Sequence, residues 1–225
     1  MDSVVIVAAG KGTRMGGGAD KLFFEAAGEP IIAHTWRRFD RSPCIHEVVV
    51  VIRNGRESEF QEVANQIQTT KPFRLVHGGS ERQDSVWNGL VATDETASLV
   101  AVHDGVRPCV SGGVIEDCFE VARRTDASAA AAKVADTLKE AHRDQTIRRN
   151  VDRSLLWSVQ TPQVFRRDVI VRAMQAVREV GAQVTDDTAA CELIGQAVTL
   201  VESDAPNPKV TVKADLPFVE WLLAR

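Results

Sequence analysis

Apolar residues in this chain fall into short dense runs, separated by stretches whose apolar positions recur at helical spacing. Val4, Val5, Ile6, Val7 and Ala8 form one uninterrupted run, the pattern of a strand buried on both faces. Residues 47–52 repeat it with four consecutive valines, Val48 to Val51, and β-branched residues favour strands. Residues 73–76 and 99–102 read the same way. Between these runs, Pro30 opens a helix to about Arg38, with Ile31, Ile32, Thr35 and Trp36 on one face. Residues 57–67 and 114–122 read as helices. Ser80 is a candidate N-cap for a helix over 80–91 that presents Val86, Trp87 and Leu90. Residues 127–133 return to a strand.

Strands alternating with helices predict an α/β fold: a Rossmann-like, mostly parallel sheet with helices on both faces. The rhythm breaks at about 134–153. Two polar segments there, 136–140 and 146–150, flank a charged turn at 142–145. This predicts a protruding β-hairpin arm. A lone two-stranded hairpin is marginal in water, so the arm should lean on something, and a partner subunit is one candidate. Residues 166–180 are amphipathic, with Val169, Ile170, Ala173, Met174 and Val177 on one stripe. A strand pair at 197–201 and 210–212 precedes a C-terminal helix from about Asp215. The whole chain, 1–225, reads as a single domain carrying the arm.

Composition narrows the class. The chain has 225 residues, with 27 Lys plus Arg against 31 Asp plus Glu, a net charge of −4. That balance and a pI of about 5.8 disfavour a strongly basic nucleic-acid-binding module. No run approaches the roughly 18 apolar residues of a membrane span, and the start of the chain lacks the features of a secretory signal. Cys44, Cys109, Cys118 and Cys191 are scattered, with no C-x-x-C pair, so free thiols in a cytoplasmic protein are expected. The five histidines show no zinc-ligand spacing.

The strongest local signal for chemistry is Ala8-Ala9-Gly10-Lys11-Gly12-Thr13-Arg14-Met15, directly after the first strand, with Lys21 downstream. A dinucleotide fingerprint needs a third glycine where Met15 stands, and a Walker loop needs a Gly-Lys-Ser/Thr ending that is missing here. A third reading is a loop whose backbone amides wrap a nucleoside triphosphate. Gly10 and Gly12 would allow close approach to phosphate oxygens, and Arg14 and Lys21 would supply charge. The bland alternative is a tight turn beside solvated basic residues.

This loop resembles the signature of the sugar-nucleotide-type nucleotidyltransferases. Further blocks occur in order: Gly78 to Val86 (GGSERQDSV), His103 to Pro108 (HDGVRP), Gln160 to Gln163 (QTPQ), Thr185-Asp186-Asp187, and Asn207 to Thr211 (NPKVT). Together they span nearly the whole chain and are similar to the 2-C-methyl-D-erythritol 4-phosphate cytidylyltransferases. The resemblance implies a reaction that joins CTP to a polyol phosphate and releases pyrophosphate, in the non-mevalonate isoprenoid route.

Such chemistry suits the residue types. A phosphate monoester is largely dianionic near neutral pH, its second pKa being about 6, so no dedicated general base is needed. The difficulty lies in bringing two anions together, which calls for positioning and fixed positive charge. The resemblance assigns Arg14 and Lys21 to the triphosphate and the transition state, with Ala8, Ala9, Gly10 and Gly12 at the nucleotide. It places Gly79, Ser80 and Ser85 at the cytosine, and Asp104 on Mg²⁺. Arg107, Thr137, Arg153, Thr161, Thr185 and Lys209 would surround the polyol phosphate, with Arg153 and Lys209 orienting its phosphate. The arm would make a homodimer, with Thr137 and Arg153 serving the partner's site. Two features depart from the familiar pattern. Gly105-Val106 stands where Ala-Ala is usual, which would loosen that turn, and Gly16, Gly17 and Gly18 suggest a lid over the triphosphate.

A ribitol-5-phosphate cytidylyltransferase shares much of this motif set. A non-catalytic nucleotide-binding regulator would be expected to lose the cations or Asp104, all of which are present. An NAD-linked dehydrogenase is disfavoured by Met15.

Overall fold

The computed structural model describes residues 1–10 and 20–225. Its strands are β1 (Asp2–Val7), β2 (Glu25–Ala26), β3 (Glu29–Pro30), β4 (Glu47–Ile52), β5 (Phe73–His77), β6 (Leu99–Asp104), β7 (Ala127–Lys133), β8 (Leu138–Ala141), β9 (Ile147–Val151), β10 (Trp157–Arg166) and β11 (Thr199–Glu202). The helices are α1 (Ile31–Asp40), α2 (Glu57–Ile67), α3 (Arg82–Ala92), α4 (Gly112–Thr125), α5 (Arg167–Val180), α6 (Asp187–Leu193) and α7 (Leu216–Leu223). The described residues form a seven-stranded sheet in the order β11-β7-β10-β6-β1-β4-β5. All neighbours pair in parallel except β10, which runs antiparallel to both β6 and β7.

The dense apolar runs are explained by burial on both faces. Along β1, Val4 and Ile6 join one core cluster while Val5 joins the other, and the same alternation runs along β4 and β6. One cluster is completed by Trp36 and Phe39 of α1, Phe60 of α2, and Ile115 and Phe119 of α4. The other is completed by Val86 and Leu90 of α3, Ile170 and Met174 of α5, and Cys191 of α6. Gly89 of α3 permits its close approach to the sheet: a Cβ there would stand 2.4 Å from Val5 Cγ1 and 2.8 Å from Val51 Cγ2.

Several elements differ from the sequence reading. β10 has no counterpart in the sequence reading, and Pro162 is an unusual residue within a central strand. The strand accommodates it where the pairing with β7 shifts register between Val159 and Gln163. α6 was likewise missed. Residues 210–212 do not form a strand. Val210 N–H bonds Val106 O at 2.9 Å, and the amides of Thr211 and Val212 are captured by Asp215 Oδ2 at 2.7 and 3.0 Å, which removes the donors a ladder would need. The hairpin arm forms as expected, as a separate two-stranded sheet. Its two strands are tied by Glu140 to Arg148 and Arg149. Ile147 on it is 67% exposed and Leu155 after it 86% exposed.

The order β5-β4-β1-β6 places a topological switch at β1, whose neighbours β4 and β6 lead to opposite sides. In open α/β sheets the crevice beyond the carboxyl ends of such strands is where ligands bind. Here the strand ends are level, since Val7 pairs with both Val51 and Asp104. The segments leaving β1, β4, β5 and β6 therefore converge on one rim.

Candidate functional site

That rim encloses a cavity of about 860 Å³. Ala8, Ala9 and Gly10 line it from β1, Arg53 and Asn54 from β4, and Gly78, Gly79 and Ser80 from β5. Asp104 comes from the end of β6, Arg82 and Ser85 from α3, Lys21 from a short 3-10 turn, and Lys209 from the segment before α7. Nine of the residues predicted from sequence thus meet there: Ala8, Ala9, Gly10, Lys21, Gly79, Ser80, Ser85, Asp104 and Lys209.

Asp104 lies at the floor, 8% exposed. Lys209 Nζ is 2.8 Å from its Oδ2, Arg107 Nε is 3.6 Å from the same oxygen, and Arg82 Nε is 3.6 Å from Oδ1. Burial opposes ionisation of this carboxyl, but Lys209, Arg82 and Arg107 outweigh it and hold the group well below the usual carboxylate range. Arg107 also donates through Nη1 to Asn207 O at 2.8 Å. Asn207 in turn donates through Nδ2 to Thr161 O at 2.9 Å. These bonds, with the Val210–Val106 amide bond, fix the irregular segment that presents Lys209.

Thr161 is brought beneath Asp104 rather than into the cavity. It is buried, and its Oγ1 accepts from Asp104 N–H at 3.1 Å. The same hydroxyl faces His103 Nδ1 at 3.1 Å, while His103 Nε2 faces Arg107 O at 3.2 Å. One neutral tautomer satisfies all three contacts: Thr161 donates to Nδ1, and Nε2–H donates to Arg107 O. Burial pushes the His103 imidazole down to about 3. Gly105 is tightly enclosed, not loose. Its N–H bonds Val7 O at 2.9 Å, and its carbonyl accepts from Thr35 Oγ1 at 3.0 Å.

On the opposite wall, Gly78 and Gly79 are required by close approach. A Cβ on Gly78 would stand 2.4 Å from Ala9 Cβ, and one on Gly79 2.2 Å from Asp84 Cβ. Ser85 Oγ accepts from Gly79 N–H at 3.1 Å and bonds Glu81 O at 3.2 Å, so this buried hydroxyl shapes the turn. Asp84 closes a capping box with Glu81 and accepts from Ser80 Oγ at 2.7 Å.

Other predicted residues lie elsewhere. Gly12 and Arg14 fall outside the described residues, as do Gly16, Gly17 and Gly18 of the expected lid. Arg107 packs behind Asp104. Thr185 is exposed on the segment leading into α6, and Thr137 and Arg153 are exposed on and beside the hairpin; none of the three lines the cavity. Sequence reasoning assigned no role to Arg82, Asp187, Arg53 or Asn54. Arg82 and Asp187 stood inside quoted motif blocks, and Arg53 and Asn54 stand at a strand's carboxyl end, a position that itself marks a binding rim.

Among the described residues no group of three His, Cys, Asp or Glu is placed to hold a metal ion. One ionised carboxylate beside a cavity lined by Lys21, Arg53, Arg82 and Lys209 does fit Mg²⁺, which takes one or two carboxylates and completes its shell with phosphate oxygens and water. Chemically, the site offers turns that expose backbone to a ligand and side-chain cations that attract anions.

A family model for 2-C-methyl-D-erythritol 4-phosphate cytidylyltransferase matches residues 3–225. Proteins of that name from Caldanaerobacter subterraneus subsp. tengcongensis and Pelotomaculum thermopropionicum are 39% and 40% identical. Each match covers 99% of this chain, and 99% and 95% of the respective relative. Among solved structures, 4-diphosphocytidyl-2C-methyl-D-erythritol synthase from Anaerococcus prevotii superposes with a TM-score of 0.88 at 28% identity, covering all of this chain and 96% of that one. The 2-C-methyl-D-erythritol 4-phosphate cytidylyltransferase from Thermus thermophilus gives 0.81 at 30% identity, covering 99% and 98%.

The His103 and Asp104 environments set a pH dependence of stability. An unfolded imidazole titrates at about 6.5, above its folded value. His103 therefore contributes stability that is full above about pH 6.5 and is lost as the pH falls toward 3, at up to about 1.4 kcal/mol per pH unit. Asp104, whose folded pKa is also depressed, adds a further loss below about pH 4. Urea titrations from pH 7 to pH 4.5 should show falling unfolding free energy, with a shallower slope in His103→Gln. Identical slopes in the two proteins would contradict a buried neutral imidazole.

Proposed function

Because the chain belongs to the 2-C-methyl-D-erythritol 4-phosphate cytidylyltransferase family, we propose that the cavity beyond β1 and β6 is where it couples its two substrates. The enzyme is a nucleotidyltransferase that joins CTP to 2-C-methyl-D-erythritol 4-phosphate, giving the CDP-alcohol and pyrophosphate. The ribitol 5-phosphate reading has no support in the matches reported above. The observation that carries the placement is the ring of Lys209, Arg82 and Arg107 around Asp104, facing a cavity walled by two glycine-bearing turns.

The turn Ala8-Ala9-Gly10 and the turn Gly78-Gly79-Ser80 flank the nucleotide. The N–H of Gly79 is already bonded to Ser85, so the second turn meets cytosine with its remaining backbone groups and holds them rigidly. A site hydrogen-bonded to one base edge rejects a base with mismatched donors and acceptors. An oxygen of the polyol phosphate attacks the α-phosphorus of CTP, and the bond to pyrophosphate breaks in line. Lys209, with Arg153 from the partner subunit's arm, orients the attacking phosphate. Arg14 and Lys21 stabilise charge on the α-phosphoryl oxygens as it builds. Asp104 would hold Mg²⁺, which would supply charge to neutralise the phosphates. Thr161 and His103 act behind Asp104 by fixing its backbone.

The arm is the proposed dimer contact. Its strands bury little in a single chain, Ile147 and Leu155 stand exposed, and Thr137 and Arg153 on it lie away from this chain's own cavity. No helix among the described residues is long and apolar enough to cross a membrane. All four cysteines are free, which suits a reducing cytoplasm.

Pyrophosphate release should be seen with CTP and 2-C-methyl-D-erythritol 4-phosphate, should fall by orders of magnitude with UTP or with ribitol 5-phosphate, and should vanish in EDTA and return with Mg²⁺. Preference for ribitol 5-phosphate, or full turnover in EDTA, would contradict the reading. Replacing residues 136–150 by a short turn should give a folded monomer with little activity by sedimentation and assay; a fully active monomer would remove the arm's role.

A further inference from the structure

We infer that Asp20 is a positioning residue that fixes Lys21 at the cavity by anchoring on two arginines beyond β4. This rests on the part in catalysis proposed above for Lys21. Three cations lining the cavity are each held by a carboxylate. Lys209 Nζ meets Asp104 Oδ2 at 2.8 Å, Arg82 Nη2 meets Asp187 Oδ2 at 2.8 Å, and Arg53 Nη2 bonds Asp20 Oδ2. Of these three carboxylates, Asp20 is the one adjacent in the chain to a further cavity cation, Lys21.

The Asp20 side chain is 6% exposed, and both of its oxygens are engaged. Oδ1 accepts from Leu22 N–H at 3.2 Å and so caps the 3-10 turn Lys21–Phe23. Oδ2 takes Arg53 and, at 3.3 Å, Arg56 Nη1. Both arginines lie in the short connection between β4 and α2. The end of β4 is itself built into the cavity wall: Val51 O accepts from Ala8 N–H at 2.7 Å, and Ile52 O from Gly78 N–H at 2.8 Å. Arg53 thus leaves the sheet between the two glycine-bearing turns, and Asp20 is tied to that point. Arg56 adds a second hold. Its guanidinium stands 4.7 Å over the ring of Phe23, which packs edge-on against Phe60 of α2 with centroids 5.3 Å apart. Leu22 is buried. Lys21 therefore sits between two pinned neighbours, Asp20 and Leu22, and lines the cavity.

The anchor needs a carboxylate. Asparagine keeps a single side-chain oxygen, which cannot serve the Leu22 amide and the arginines at once, and its own N–H groups would face guanidinium N–H groups. Arg53 and Arg56 are partly exposed, so each can turn to water when the carboxylate is lost. Asp20→Asn should therefore loosen the turn bearing Lys21 and leave the sheet intact.

The test is kcat of the full-length protein for pyrophosphate release at saturating CTP, 2-C-methyl-D-erythritol 4-phosphate and Mg²⁺, with Asp20→Asn placed in the wild-type and Lys21→Ala backgrounds. In the wild-type background kcat should fall about tenfold, as for a misplaced catalytic group. In the Lys21→Ala background the same substitution should change kcat by less than about twofold, because its effect runs through Lys21. An unchanged kcat in the first background, or an equal fall in both, would overturn the inference; an ion pair that serves only the fold gives one of those two results. Crystal structures of wild type and Asp20→Asn supply a readout that needs no activity: Lys21 Nζ should shift by about 1 Å or more, and a superimposable Lys21 overturns the anchor. If Asp20→Asn does not fold, Arg56→Gln carries the same comparison, with an expected fall in kcat of at least about threefold that disappears in Lys21→Ala; an unchanged kcat overturns the inference. Wild-type protein that releases no pyrophosphate from CTP would defeat the proposed activity, and Lys21→Ala with near-normal kcat the part proposed for Lys21. An active wild type and a slow Lys21→Ala, with Asp20→Asn unaffected, defeat only the anchor.

Discussion

The site depends on one buried carboxylate. Asp104 ends β6 in an environment that would cost several kcal/mol to place a bare charge in, and it remains ionised because three cations from separate parts of the chain converge on it. Arg82 comes from α3, Arg107 from the turn after β6, and Lys209 from the irregular segment before α7. Without that carboxylate the three cations would repel one another. With it, their side chains are gathered around the cavity floor, beneath the place where phosphates are expected. The same constraint explains the surrounding detail: Thr161 bonds the Asp104 amide, His103 stays neutral behind it, and Asn207 ties the Lys209 segment to β10.

Catalysis on this scaffold is a matter of arrangement. In the proposed reaction a phosphate monoester needs little activation as a nucleophile, so the task left to the site is to overcome repulsion between two anions and to stabilise charge on the phosphoryl group. The parallel sheet contributes by bringing the carboxyl ends of β1, β4, β5 and β6 to one level. The turns after β1 and after β5 then stand side by side at the cavity wall, where Gly78 leaves no room for a Cβ beside Ala9.

Much of the fold was legible because burial on both faces leaves a plain record. The runs at Val4 to Ala8 and Val48 to Val51 could hardly be anything but central strands. β10 was hidden, because Gln160, Pro162 and Gln163 carry polar and turn chemistry inside a central strand, and only the register shift against β7 makes room for it. The V-T-V pattern at 210–212 misled for the opposite reason: its residue types favour a strand, while Asp215 takes the amides. In the site, Asp104, Lys209 and the glycine turns were visible as ordered motifs. The pairing of Arg82 with Asp187 was not, since local patterns carry no record of a contact between residues so distant in the chain. The clustering of Thr161 with His103 was equally hidden, and the structure moves that threonine from the expected substrate surface to a supporting position.

The most direct test of the central claim is a crystal structure of the protein with CTP and Mg²⁺. The account predicts the triphosphate between the Ala8-Ala9-Gly10 turn and the Asp104–Lys209 floor, with cytosine against Gly78-Gly79-Ser80 and the metal on Asp104. A nucleotide bound away from these two turns, with no phosphate near Lys209 or Asp104, would contradict it.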